Sequence, residues 1–152
     1  MTLLNRGLEL RSMFIILVAD RNKHIRELLK RELSDDGYQV ILAKTAAEVV
    51  AVISTIDRIN LIIIDFYLPD GDLTDIKRKL KGRLDMIPMI IHSYASERQN
   101  GFLPSRNMVE IEKGSTSISE IKLLVDQIDK TGSVTFETNR RLPDQNQPDK
   151  TT

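Results

Sequence analysis

The sequence predicts an α/β domain built on a doubly wound, five-stranded parallel sheet. Three observations carry this expectation. Five short apolar runs, each too short for a stable helix, recur along the chain. Segments with apolar residues at helical spacing stand between them. The strand-like runs are nearly continuous in apolar residues, the pattern of a sheet covered on both faces.

The first strand is FIILVAD, Phe14 to Asp20, bounded by charge. NKHIRELLKRELSDDG follows, in which Ile25, Leu28, Leu29 and Leu33 share a helix face and Gly37 stands just past the end as a stop. YQVILA supplies the second strand. In TAAEVVAVISTID, Thr45 and Glu48 have capping-box spacing, and Val49, Val52, Ile53 and Ile56 form one face. The third strand runs from Asn60 to Asp65. The breaker-rich turn LPDGD then leads into a helix from Leu73 to Leu84, with Asp72 as its N-cap and Leu73, Ile76 and Leu80 inward. Pro88 opens the fourth strand, Met89 to Ser93. The stretch from Ala95 to Met108 holds a Gly, a Pro and scattered apolar residues, so a helix there must be short or irregular. The fifth strand, MVEIE, ends near Lys113, and Ser117 with Glu120 caps a last helix carrying Ile118, Ile121, Leu124, Val125 and Ile128.

This pattern divides the chain into an N-terminal extension at 1–12, a single domain at 13–130 and a disordered tail at 131–152, where Pro143 and Pro148 lie in polar sequence without apolar periodicity. With 41% hydrophobic residues among 152, the domain can bury a core of its own. Lys and Arg together number 22, as do Asp and Glu, a balance that argues against nucleic acid and against a membrane surface as partners. The absence of cysteine excludes disulfides, thiolate zinc sites, iron–sulfur clusters and a cysteine nucleophile. No apolar run approaches the ~18 residues of a membrane span, and the first dozen residues lack a secretory core, so the expected location is cytoplasmic.

In an open doubly wound sheet, ligands bind outside the carboxyl ends of the strands. Asp20, Asp65, Ser93 and Lys113 each close a strand at that edge. Such a set suits a phosphoryl group: a carboxylate can attack phosphorus to give an acyl phosphate, while a hydroxyl and an ammonium hold the transferred oxygens. Competing chemistries lack their signatures. There is no GxxxxGK[ST] run, no glycine in the ADRNKH turn for a flavin phosphate, and only Asp20 where a dehalogenase-type phosphohydrolase needs two aspartates.

The segments ILVADRN, LIIIDFYLPDGD, PMIIHSYA and VEIEKG, in this order and spacing, resemble the receiver domain of bacterial two-component response regulators. The likeness spans roughly residues 13–130 and includes Pro69, four residues after Asp65. It implies the flavodoxin-like receiver fold and a signalling domain that is not an enzyme; the tail at 131–152 is too short for an added output domain, so a stand-alone response regulator is expected. By resemblance, Asp65 is the phosphoacceptor, Ser93 the hydroxyl that senses the aspartyl phosphate, and Lys113 the lysine that pairs with it. Asp20, Asp65 and the backbone carbonyl of Tyr67 correspond to the ligands of Mg2+. The implied partners are a histidine kinase or phosphotransfer protein and a downstream protein target reached by protein contact.

Several residues depart from the family pattern. Arg21 falls on the second acid of the acidic pair, and a guanidinium cannot ligate a cation. Asp20 and Asp65 against Arg21 and Lys113 sum to zero, so the affinity for Mg2+ is expected to be weakened. An alternative follows: a phosphorylation-independent, receiver-like interaction module in which Arg21 replaces the metal by pairing with Asp65. Gly114 replaces the usual proline after the lysine, which is expected to loosen the following loop. Leu73 stands where glycine is common, and Glu110 where an aromatic switch residue is common. His92 reads as a packed or hydrogen-bonded histidine and His24 as solvent-facing. Lys77, Arg78, Lys79, Lys81 and Arg83 read as a solvated helix face.

Overall fold

The computed structural model describes residues 3–97, 102 and 104–134. Five parallel strands form one sheet: β1 (Ile15–Ala19), β2 (Gln39–Ala43), β3 (Leu61–Ile64), β6 (Met89–Ser93) and β7 (Met108–Glu112), in the order β2-β1-β3-β6-β7. The reversal of strand order falls between β1 and β3, so the crevice at their carboxyl ends is the topological switch point. Two further strands, β4 (Tyr67–Leu68) and β5 (Gly71–Asp72), make a small antiparallel hairpin that the turn-like sequence LPDGD did not suggest.

Period-two alternation along the buried strands builds two cores from one sheet. Leu17, Ile62, Ile64, Met89 and Ile91 face helices α3 (Ala46–Thr55) and α4 (Leu73–Leu80). Ile16, Val18, Leu61, Ile63 and Ile90 face α2 (Lys23–Asp35) and α5 (Ser117–Thr131). The helices bury the faces expected of them: Leu29 and Leu33, Val49 and Ile53, Leu73 with Ile76 and Leu80, and Ile121 with Val125 and Ile128. A slip of one residue in any central strand would exchange the two sets, so the register is strongly specified.

Three boundaries differ from the sequence expectation. The helix expected to reach Leu84 ends at Leu80, because Lys81 and Gly82 both take positive φ, and a separate 3-10 turn, Arg83–Met86, follows. Ser117 is not the cap of the last helix. Thr116 holds that position, and Ser117 begins α5 with its hydroxyl turned elsewhere. Glu48 does not bond the backbone of Thr45 in a closed capping box; its carboxylate accepts from the Lys44 amide at 2.7 Å, while Thr45 Oγ1 accepts from the Glu48 amide at 3.1 Å. Of the stretch from Ala95 to Met108, residues Ala95–Glu97 form a 3-10 turn, and 98–101 and 103 lie outside the described residues.

Residues 3–12 form helix α1 (Leu3–Ser12). Arg11 seats it: one Nη donates to the Asp36 carbonyl at 3.0 Å, the other pairs with Asp126 at 3.4 Å, and the guanidinium lies 5.4 Å from the Tyr38 ring centroid. The expected tail is helical as far as Thr131, and Val134 packs as a buried residue. The remainder, 135–152, lies outside the described residues. Among the described residues, no helix is long and apolar enough to cross a membrane.

The loop after Lys113 is held rather than loosened. His92 is buried on β6, and its Nε2 lies 2.9 Å from Ser117 Oγ. That hydroxyl also donates to the Gly114 carbonyl at 2.9 Å and accepts from the Gly114 amide at 3.3 Å. The backbone on either side of Lys113 is thus pinned to the sheet and to the start of α5.

Two outcomes are expected. Asp72 caps α4 in a closed box with Asp75, so Asp72→Ala should cost about 1 kcal/mol of stability in urea unfolding, whereas exposed Thr74→Ala should stay within about 0.5 kcal/mol. Burial, and then the charge of Lys113, push His92 down from its ordinary 6.5 to about 4. The unfolded chain therefore binds this proton at higher pH than the native one does. The stabilisation is complete above pH 6.5 and is lost as pH falls towards 4. His92→Gln should flatten that part of the profile of melting temperature against pH; an unchanged slope would show that His92 is not its source.

Candidate functional site

Sheet register brings the expected residues to one rim. Asp20 follows β1 and its amide donates to the Ala43 carbonyl at 3.3 Å; Asp65 follows β3 and donates to the Ala19 carbonyl at 2.8 Å; Lys113 follows β7 and donates to the Ser93 carbonyl at 2.8 Å. Each side chain therefore leaves a backbone already fixed by a neighbouring strand.

Lys113 Nζ lies between the two acids, 3.0 Å from Asp20 Oδ2 and 3.3 Å from Asp65 Oδ2. All three are buried, Asp65 completely. Asp20 Oδ1 accepts from the Asn22 amide at 2.8 Å, so both oxygens of Asp20 are engaged. Asp65 differs. Its Oδ2 takes Lys113 and Arg21, whose Nε stands 3.2 Å away, while its Oδ1 is buried with no hydrogen-bond partner. Ser93 Oγ accepts from the Phe66 amide at 3.1 Å, which places the hydroxyl beside the backbone that carries Asp65. Tyr67 begins β4, two residues beyond Asp65, with its ring edge-on to Phe66 at 5.0 Å.

Burial pushes the Asp65 carboxyl up, and the neighbouring Asp20 charge adds to this; Lys113 and Arg21 oppose both. Arg21 is held still more firmly in its charged form, chiefly by its hydrogen bond to Glu97.

The residues present do not make a divalent-cation set. Asp20 has no free carboxylate oxygen, Asp65 has one, and the position facing them carries a guanidinium. Among the described residues, no group of three acids or histidines is placed to hold a metal ion. Arg21 brings its positive charge directly onto Asp65, as an ion pair at 3.2 Å.

Three participants were not foreseen. Glu97, on the 3-10 turn after β6, pairs with Arg21 Nη2. Asn22 caps α2 by accepting from the His24 amide, which fixes the turn that carries Arg21. Tyr94 places its ring 5.1 Å from Lys113 Nζ. Glu97 lies 76 residues from Arg21, so no local signal could have joined them. His24 is exposed, as expected. Of the basic cluster, Lys77 is half-buried and reaches Ser105 Oγ at 3.2 Å, Arg78 pairs with Asp75, and Lys79, Lys81 and Arg83 are exposed.

Known proteins share both the sequence pattern and the fold. The family model of the response regulator receiver domain matches residues 16–102. The response regulator MprA of Mycobacterium tuberculosis is 36% identical over 76 residues, a stretch covering 50% of this chain and 33% of that regulator. MprA of Mycolicibacterium vanbaalenii is 34% identical over 76 residues, covering 50% and 32%. The chain therefore spans about a third of the length of the curated relatives it matches. Among solved structures, the response regulator TrrA of Thermotoga maritima, in complex with Mg2+ and BeF, superposes with a TM-score of 0.64 at 26% identity, covering 76% of this chain and 99% of that one. A Francisella response regulator receiver domain shares the fold with a TM-score of 0.62 at 24% identity, covering 78% and 98%. A family match over more than half the chain, joined to the rim of Asp20, Asp65, Ser93 and Lys113 on this sheet, places the protein in the response regulator receiver domain family of two-component systems.

Proposed function

We propose that Asp65 is the phosphoacceptor of this receiver, taking a phosphoryl group from a histidine kinase or a phosphotransfer protein. The observation that carries the reading is the state of its carboxylate. Oδ1 is buried without a partner, while Oδ2 is held by two cations. One oxygen is oriented and the other is left to form a bond. Transfer from a phosphohistidine forms the bond from the Asp65 oxygen to phosphorus and breaks the phosphorus–nitrogen bond, the electron pair leaving with the imidazole.

Lys113, fixed by Asp20, supplies positive charge to the phosphoryl oxygens. The Ser93 hydroxyl, next to the Phe66 amide, is positioned to donate to one of them. The donor protein brings the reactive phosphorus, so the chain acts as a signalling module rather than an enzyme with a substrate of its own. Its output is contact with a downstream protein target that distinguishes the two states of the rim.

Incubation of the full chain with acetyl phosphate should add the mass of one phosphoryl group, and Asp65→Asn should abolish the addition while preserving the circular-dichroism melt. Labelling that survives in Asp65→Asn, or its absence from the wild type under every buffer condition, refutes the assignment.

A further inference from the structure

The second acid that would complete a metal set is replaced here by Arg21, and the replacement is built into the surrounding contacts. The guanidinium spans two acids: Nε pairs with Asp65 Oδ2 at 3.2 Å, and Nη2 pairs with Glu97. Asn22, next in the chain, is fixed twice, its amide on Asp20 Oδ1 at 2.8 Å and its side chain on the His24 amide at 2.9 Å. Arg26 donates to the Asp20 carbonyl at 2.7 Å and braces the same turn. The residues on either side of Arg21 are thus fixed, and its head group is held by two acids.

The chemistry of the head group matters. Arginine is always charged, is planar and carries five donors, so two can remain on carboxylates while others meet equatorial phosphoryl oxygens. The buried, unpartnered Oδ1 of Asp65 is a second and independent sign that the site is built for a bond or ligand absent from the resting chain. Asp20 already holds Lys113 on one oxygen and the Asn22 amide on the other, so a divalent ion there would share its carboxylate with a buried ammonium 3.0 Å away and would meet the Arg21 charge beside Asp65.

We infer that Arg21 is the resident cation of this pocket, that it lets Asp65 receive a phosphoryl group without a divalent metal, and that Glu97 is the positioning residue that aims it. The inference rests on the reading of Asp65 as phosphoacceptor. With a small acyl phosphate as donor, an Asp65 carboxylate oxygen bonds to phosphorus, the phosphorus–oxygen bond to the donor breaks, and the electron pair leaves on the donor carboxylate; no proton is gained or lost. Arg21 and Lys113 balance the charge of the transferred group. The product carries a second negative charge next to Arg21, so the guanidinium is drawn from Glu97 and the 3-10 turn Ala95–Glu97 loses its tie to the rim. The state of Asp65 is thereby passed to the segment that follows β6.

Two measurements on the full chain test this. In the first, Mn2+ is titrated against the 15N-labelled protein. The wild type should show no saturable broadening around Asp65 through the millimolar range, and Arg21→Asp should acquire it; saturation of the wild type in that range overturns the inference. In the second, labelling by acetyl phosphate is compared in EDTA and in Mg2+. Equal labelling of the wild type, metal-dependent labelling of Arg21→Asp and shifted amides at Tyr94–Glu97 after labelling are expected. Labelling of the wild type only with Mg2+ overturns the inference and leaves Asp65 as phosphoacceptor. Labelling in neither buffer overturns the phosphoacceptor reading and the receiving role with it, and the Mn2+ titration still decides whether Arg21 excludes the metal. Glu97→Gln should lower metal-free labelling by about tenfold, with partial rescue by Glu97→Asp; an unchanged rate removes Glu97 from the positioning role.

Discussion

The ammonium of Lys113, buried between the carboxylates of Asp20 and Asp65, is the interaction on which the rim depends. Two acids at 2% and 0% exposure cannot remain charged without a counter-ion, because desolvation of each costs several kcal/mol. The three groups come from the ends of β1, β3 and β7, so their meeting needs the register of the whole central sheet. The dependence also runs the other way. A strand shifted by one residue would turn its terminal acid away from Lys113 and leave the ammonium with one acid in place of two. The rim is thus complete only when the register of β1, β3 and β7 is set.

Polar contacts beneath the rim keep that geometry stiff. His92 is buried on β6, and its Nε2 meets the Ser117 hydroxyl. Ser117 in turn holds Gly114, so a glycine with freedom to move is bound from the side chain of a residue three positions on. On the opposite side of the crevice, Asp70 accepts from the amides of Ala46 and Ala47 at 2.6 and 3.0 Å and ties the β4–β5 hairpin to the start of α3. Backbone N–H groups at that helix terminus hold the Asp70 carboxyl below its usual range.

The strands and the inward helix faces could be read in advance because they follow from the apolar pattern alone. Asp20, Asp65, Ser93 and Lys113 could be read because a parallel sheet places all its strand ends on one edge, whatever the loops do. Contacts that depend on loop geometry could not. Nothing in SYASE marks Glu97 as the partner of Arg21, since the pairing exists only after β1 and β6 are placed on either side of β3. The hydroxyl of Ser117 departs from its local pattern for a related reason: a serine three residues before Glu120 satisfies the rule for a cap, yet a buried histidine opposite offers it another partner. The early end of α4 shows the same limit, because Lys81 adopts the left-handed region without being a glycine.

Arg21 alters more than a ligand count. A dissolved cation stabilises a pocket only to the extent that it is bound, so its effect follows ionic conditions. A guanidinium tethered to the backbone is present at every ion concentration, and its charge does not change across physiological pH. The acids of this rim are therefore compensated by the chain itself: Asp20 by Lys113, and Asp65 by Lys113 and Arg21 together. Glu97 adds an acid that competes with Asp65 for one cation. Two acids sharing one guanidinium form a balance, in which any change of charge on one alters the hold on the other. The β1 turn and the turn after β6 carry the two ends of that balance, so electrostatics at Asp65 and the position of residues 95–97 are parts of a single equilibrium.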